Sequence, residues 1–344
     1  MLPPGRRLLD HGEATGLTCP AMIAARKSRV RVFAPATVSN LGPGFDVLGL
    51  ALHRPGDVVE VEVSDRPGVE LAGVAGEGGA LPRDAARNAA SVAAAEVLRR
   101  AAAQGGAAGL RLWLEKGMPL SSGLGSSGAS AAAGAVAANE ALGRPLAEDA
   151  LVQCAMSGER ASCGAAHADN VAPSVLGGIV LIRSYDPLDL VRLPVPDGLF
   201  VAVVHPHCEV STSEARARLA GRAFALPDIV ANAGNLGAFV AALFQGDLAL
   251  IGRTIADRIV EPVRAGMIPA YTEVRSAALD AGALGCAISG SGPSMFALCD
   301  SDEVAAGAAL AMRRAFRDRA ALPSEAWVSP VNRDGAHLLP RTCD

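Results

Sequence analysis

The chain has 344 residues, half of them hydrophobic, with a formal net charge of −4. That length suffices for a sizeable core and suits two domains, and the charge gives no basis for a nucleic-acid partner. No apolar stretch approaches the roughly 20 residues of a membrane span. Seven cysteines without a CxxC pair point to reduced thiols in a cytoplasmic protein, not to a disulfide framework or a zinc site.

Residues 1–28 form a polar tail with Pro, Gly and Arg and no apolar segment of the secretory kind. They read as a disordered extension or a mis-assigned start. Arg29–Phe33 alternates as a strand. Ala34–Leu50 is an apolar strand broken at Gly42-Pro43-Gly44. Asn40 and Asp46 flank the break, either as turn residues or as a polar pair aimed into a pocket. Asp57–Val63 alternates again. Asp84 is placed to cap a helix over Ala85–Ala103, and Leu110–Glu115 is a further strand.

Gly117–Ser130 follows, dense in glycine and serine, with a helical run over Ala129–Leu142 behind it. Glycines let backbone N–H groups approach a ligand, and a helix start favours an anion. The stretch therefore reads as a phosphate cradle. It is not a Walker A loop, because no Gly-Lys-Ser/Thr occurs. Lys27 and Lys116 are the only lysines. Phosphates here would rest on amides, hydroxyls, a helix dipole and a metal.

Leu146–Ser157 reads as a helix with Glu148 and Asp149 in its first turn. Gly158–Pro173 gathers Glu159, His167, Asp169 and Asn170 in a loop that abuts the core, because the buried strand Leu176–Ile182 comes next. Pro187–Gly198 reads as a linker, giving domains at 29–190 and 191–344. The second half reads as strand, four helices, a hairpin through Gly290–Pro293, a helix and a strand. The fold class is α+β.

Three motifs in this order resemble the GHMP small-molecule kinases: Pro35-Ala36-Thr37 through Asn40–Asp46, Pro119–Ser127, and Gly285 through Ser289-Gly290-Ser291-Gly292-Pro293. Asp46–Leu50, His167–Pro173, Ser211–Arg216 and Glu261–Arg264 are similar to the homoserine kinases within that superfamily. The resemblance covers about residues 29–331. It implies a two-domain GHMP kinase fold, an S5-domain-2-like N-terminal unit and a ferredoxin-like C-terminal unit, with the site in the cleft between them. It implies ATP and Mg²⁺, L-homoserine as phosphoryl acceptor in threonine biosynthesis, a cytoplasmic homodimer, and no nucleic-acid or membrane partner.

By resemblance, Pro119, Leu120, Ser121, Ser122, Gly123, Leu124, Gly125, Ser126, Ser127, Gly128 and Ala129 hold the phosphates. Ser127 and Glu159 supply the Mg²⁺ ligands. Asn40, Asp46, His167, Asn170, Thr212, Arg216 and Arg264 form the acceptor pocket, with the arginines on a carboxylate and Asp46 on an ammonium. Glu159, Asn170 and Asp169 stand at the chemistry. Whether Asp169 is a general base is open, since sequence gives no distance. Two rival expectations are a mevalonate-type or cytidylyl-erythritol-type kinase, and a silent sensor on the same fold. The retained Glu159, Ser127, Gly123 and Gly125 argue against the sensor.

Overall fold

The computed structural model describes residues 29–76, 81–103 and 109–340. The expectations for residues 1–28 lie outside them. In chain order the first half runs β1 (Val30–Ser39), β2 (Leu48–Ser64), β3 (Gly68–Ala75), α1 (Ala89–Ala102), β4 (Gly109–Glu115), α2 (Ser126–Ala141), α3 (Glu148–Cys163), α4 (Ala168–Leu176), β5 (Ile179–Tyr185) and β6 (Leu188–Leu193). The second half runs β7 (Phe200–Pro206), α5 (Thr212–Ala217), α6 (Leu226–Gln245), α7 (Leu248–Thr254), α8 (Glu261–Arg264), α9 (Tyr271–Asp280), β8 (Gly285–Ile288), β9 (Met295–Cys299), α10 (Asp302–Ala320), β10 (Ser324–Pro330) and β11 (His337–Leu338).

The first sheet is ordered β11-β1-β2-β4-β3, with β5 on the near end of β2 and β6 on β5. Only β3–β4 is parallel among its pairs. The long β2 serves two neighbours, Leu48–Leu50 pairing with β5 and Val58–Ser64 with β4. Between β1 and β2 the chain reverses with Asn40 and Leu41 at φ 73° and 46°. Gly42 follows where a Cβ would lie 2.0 Å from the carbonyl oxygen of Ile255, so only glycine fits there. Helices α1 to α4 cover one face through an Ala, Val and Leu core, as a chain with 3% aromatics requires.

The second sheet, β10-β7-β9-β8, is wholly antiparallel. Its outer face packs α9 and α10 through Val274, Met312 and Phe316. Its inner face sends Val201, Val203, Phe296 and Leu298 into a cluster with Val38, Leu50 and Leu52 of the first sheet and Phe239 of α6. One apolar cluster thus joins the two halves and fixes the cleft between them.

Several expectations change. The expected linker contains β6, held by pairing with β5 from Ile179–Leu193 to Tyr185–Leu188. The first sheet therefore crosses the boundary expected at 190, and β11 returns to it as well. The expected loop 158–173 is the last turn of α3 followed by α4. Asn88, not Asp84, caps α1, accepting from the N–H groups of Ala90 and Ser91. Asp84 instead forms a turn one step earlier, its carbonyl accepting from Arg87 and Asn88. Among the described residues α6 is long and apolar enough by length and composition to cross a membrane, which corrects the expectation of no such stretch. Here Phe239, Ala242 and Leu243 are buried in the shared core. Asn232 and Asn235 donate to the carbonyls of Pro43 and Ala256.

Candidate active site

A cleft of about 400 Å³ opens between the halves, a volume suited to a small ligand. One wall is the Gly/Ser stretch. Gly125 takes φ 66° and begins α2 without a side-chain cap. The first-turn N–H groups of Ser126, Ser127 and Gly128 have no partner inside the helix, while the N–H of Ala129 already donates to Gly125 at 2.8 Å. The helix end is open toward the cleft and suits phosphate oxygens. A Cβ on Gly125 would sit 2.2 Å from Thr37 Oγ1, and one on Gly123 2.5 Å from the carbonyl of Ser289. The glycines are required by close approach as well as by φ.

The loop is braced from two sides. Beneath it, buried Lys116 donates to Asp57, to the carbonyl of Ser126 and to Ser130 Oγ. Ser130 and the N–H of Gly117 also donate to Asp57. Lys116 is thus a strut and not a phosphate ligand. Above the loop, Ser289 Oγ donates to the carbonyl of Gly123 at 2.7 Å, and the N–H of Ser294 to that of Ser122 at 3.2 Å. The third glycine motif therefore braces the second.

The opposite wall carries charge. Arg264 is 2% exposed. Its Nη1 donates to the carbonyl of Gly290 at 3.0 Å, and its Nε has no partner. No carboxylate pairs with it among the described residues. Burial pushes its pKa below the ordinary arginine value. A buried cation in this state lacks an anion. Arg216 lies nearby, forked onto Asp46 at 2.9 and 3.0 Å, a pairing that raises its pKa. Phe45 sits between the arginines, its ring 5.5 Å from Arg216 and 5.0 Å from Arg264. Asn40 donates to Gly290 and accepts from the N–H of Asp46. Thr212 bonds Ser291 at 3.2 Å.

The third wall is the junction of α3 and α4. Glu159, 4% exposed, has Oε2 without a partner. His167, the N-cap of α4, sets Nδ1 3.4 Å from Glu159 Oε1 and 3.6 Å from Cys163 Sγ. Cys163 and then Glu159 push the ring's pKa up, to about 10. On the other side Arg216 Nη2 stands 3.0 Å from Nε2, and a guanidinium only donates. That contact needs the Nε2 lone pair and so opposes the upward shift from Cys163 and Glu159; with Arg216 in place the geometry favours the neutral ring, its proton on Nδ1. Asp169 is buried with Oδ1 unpartnered. Burial first, then the charge of Asp46, push it up to about 7. Gly49 makes room for it, since a Cβ there would meet the carbonyl of Asp169 at 1.8 Å. Asn170 accepts from Thr37 Oγ1 at 2.9 Å.

The cleft brings together Asn40, Asp46, Leu120, Ser121, Ser122, Gly123, Gly125, Ser126, Ser127, Glu159, His167, Asp169, Asn170, Thr212, Arg216 and Arg264. Four of the expected phosphate residues do not line it. Pro119 stands outside, Gly128 packs against Asn170, and Leu124 and Ala129 point into the core. Thr37, Phe45, Asp57 and Cys163 were not expected here. Thr37 and Phe45 lay inside the quoted motif, which was the available signal. Leu81, Pro82, Arg87, Asn88 and Leu114 also line the cleft, a slot of mixed polarity that sequence did not reveal. The free Glu159 Oε2 and the Ser127 hydroxyl on one cleft fit a hard divalent cation.

The chain matches the GHMP kinases N terminal domain over residues 89–178 and the GHMP kinases C terminal domain over 239–318. It is 49% identical to a homoserine kinase from Chlorobium phaeovibrioides, over 90% of this chain and 99% of that one. The chain belongs to the homoserine kinases of the GHMP kinase family. A homoserine kinase from Xanthomonas campestris is 42% identical over 97% of this chain and 99% of its own length. The crystal structure of homoserine kinase from Cytophaga hutchinsonii superposes with a TM-score of 0.86 at 49% identity, covering 91% of this chain and 98% of that one. The L. major mevalonate kinase structure, at 16% identity and a TM-score of 0.70, shares the fold. The expected kinase class and two-domain GHMP fold are therefore established.

Proposed function

We propose that the chain transfers the γ-phosphoryl group of ATP to the hydroxyl of L-homoserine, giving O-phospho-L-homoserine for threonine biosynthesis. The observation that carries this reading is Arg264, a buried cation facing the cleft with no acidic partner among the described residues. An acceptor with a carboxylate completes it, and Arg216 adds a second fork. Asp46 suits the ammonium of the same zwitterion. An acceptor lacking the amino-acid group would leave this set unmatched.

The N–H groups of Ser126 to Gly128 and the α2 dipole bind the phosphates, with the base in the slot by Asn88 and Leu114. Mg²⁺ would be held by Ser127 and Glu159, and when bound it neutralises charge on the phosphate oxygens. Asn170 is held in place by Thr37 beside Gly125. Asp169, with its pKa near 7, suits the role of proton acceptor from the hydroxyl. Phosphoryl transfer needs chiefly this positioning and charge.

We assign the reaction to the cytoplasm, which the free cysteines 154, 163, 208, 286 and 299 support. We also assign a homodimer. Its support is the exposed Leu226, Ile229 and Val230 in the first turns of α6, apolar surface of the kind that marks interfaces. Light scattering tests the dimer. An acceptor panel with ADP release as readout tests the activity: Mg²⁺-dependent turnover on L-homoserine supports it. Turnover on mevalonate or cytidylyl-erythritol in its place, or on nothing, overturns it.

A further inference from the structure

Glu159 and Cys163 lie one turn apart on α3, so both side chains leave the same helix face. Gly164 ends the helix at φ 80° and turns the chain back, bringing His167 to the same spot. Three potential ligand atoms converge there. Cys163 Sγ is 3.2 Å from Glu159 Oε1 and 3.6 Å from His167 Nδ1, and the last two are 3.4 Å apart. A tetrahedral ion with bonds of about 2.3 Å to sulfur and about 2.0–2.1 Å to nitrogen and oxygen needs ligand separations of roughly 3.3–3.6 Å. Two sides of the triangle already have that size, and the third, at 3.2 Å, is just short of it. Glu159 is 4% exposed and presents Oε1 to the triangle, while its Oε2 has no partner; among the described residues no lysine or arginine neutralises this buried carboxylate.

We propose that Glu159, Cys163 and His167 form a binding site for a borderline-soft divalent cation of the Zn²⁺ class, whose occupation inhibits the enzyme. The donor set itself selects the ion. Thiolate and imidazole suit zinc and its relatives, whereas Mg²⁺ takes oxygen ligands only. Ser127 does not belong to the site, so it is not the place expected for Mg²⁺, though both claim Glu159. Sequence did not reveal it because the ligands recur at i, i+4 and i+8 with no paired cysteines.

Binding has two consequences. It withdraws Glu159 from its role beside the phosphates. It also takes the Nδ1 lone pair of His167, which moves the ring proton to Nε2 and opposes the guanidinium of Arg216 now 3.0 Å away. The thiol proton is released to solvent. The inhibition rests on the kinase reading, but binding does not.

The test uses the full chain without nucleotide. Zn²⁺ is titrated calorimetrically, and Co²⁺ serves as the spectroscopic probe for a thiolate-to-metal charge-transfer band. The wild type is expected to bind one ion per chain and show the band. Cys163→Ser is expected to lose the band and weaken Zn²⁺ binding by at least about tenfold, the low end even for loss of a ligand's outer partner. His167→Ala is expected to weaken binding comparably, and thermal melts confirm that both variants are folded. In the kinase assay at fixed Mg²⁺, the Zn²⁺ concentration for half-inhibition, relative to each protein's own rate, is expected to rise in Cys163→Ser by the same factor. A band that survives in Cys163→Ser, or equal Zn²⁺ affinity in all three proteins, overturns the site. Unchanged half-inhibition in a variant that no longer binds Zn²⁺ overturns the inhibitory role. Failure of homoserine as acceptor, with the band present and lost in the variant, counts against the kinase reading alone.

Discussion

Arg216 closes on Asp46 through two hydrogen bonds, Nη1 to Oδ2 at 2.9 Å and Nη2 to Oδ1 at 3.0 Å. The residues are 170 positions apart and come from the two halves of the molecule. Each is the natural partner of one end of an amino-acid zwitterion. The pair is part-exposed, at 42% and 31%, so it stabilises the fold by no more than about 1 kcal/mol. A zwitterion can therefore exchange partners with it at little cost, the carboxylate taking the arginine and the ammonium the aspartate.

Asp46→Asn removes the proposed acceptor for the ammonium and frees Arg216. The KM for homoserine is expected to rise roughly tenfold to a hundredfold, the worth of one charged hydrogen bond of about 1.5–3 kcal/mol. The KM for ATP stays near the wild-type value. Steady-state kinetics with each substrate varied in turn check this, and a shift confined to ATP would remove Asp46 from the acceptor pocket.

Glu159→Gln keeps size and hydrogen bonding but withdraws the charge. An amide is a poor ligand for a hard cation. We expect kcat to fall on the order of a hundredfold or more, with homoserine affinity and melting temperature little changed. The dependence of kcat on Mg²⁺ concentration is the measurement. Near-normal turnover at ordinary Mg²⁺ would take Glu159 out of the metal's coordination.

Much of this was legible in the chain, for physical reasons. A phosphate cradle needs glycines at fixed places, so Gly123 and Gly125 pointed to one, and the structure puts Gly125 in the left-handed conformation at the start of α2. The arginines proposed for the acceptor were suggested only by resemblance, since nothing local separates Arg264 from a surface arginine. The state of the residues was not legible at all. The Asp46–Arg216 pair and the Asp57–Lys116–Ser130 strut join distant positions, and no periodicity records such contacts. The 158–173 stretch looked like a loop because its glycines, serine, aspartate, asparagine and proline are weak helix signals. Packing of α3 and α4 against the core overrode them.

Gly125→Ala tests the cradle. The position has φ 66°, and the added Cβ would lie 2.2 Å from Thr37 Oγ1. Left-handed backbone alone costs an alanine about 1 kcal/mol. We expect a lower melting temperature and an ATP KM raised about tenfold or more, equal to roughly one lost hydrogen bond. Calorimetric melting and ATP kinetics check the two effects. Normal values of both would mean the loop does not bind phosphate in this conformation.

Glu261→Gln tests a buried carboxyl behind Arg264. Burial pushes Glu261 up to about 7, against the lowering effect of the hydroxyl that Tyr271 donates to it. Its folded pKa lies above its unfolded value. The stability it contributes is therefore complete below about pH 4.3, the unfolded pKa, and is lost as pH rises to about 7. Wild-type stability should fall over that window by up to about 3 kcal/mol from this group. Glutamine cannot ionise, so the variant should lose this part of the decline and gain on the wild type at pH 8. Urea melts at pH 5 and pH 8 give the comparison. An equal decline in both proteins would show that Glu261 is not the group responsible.

We propose that the buried guanidinium of Arg264 receives the acceptor's carboxylate. The most direct measurement compares L-homoserine with 3-aminopropanol, which is homoserine without its carboxylate, in the wild type and in Arg264→Leu. The readout is kcat/KM from ADP release, and leucine leaves no buried charge to disturb folding. The wild type should prefer homoserine, and Arg264→Leu should shrink that preference by roughly tenfold to a hundredfold through loss of activity on homoserine alone. If the preference is the same in both proteins, Arg264 does not bind the carboxylate.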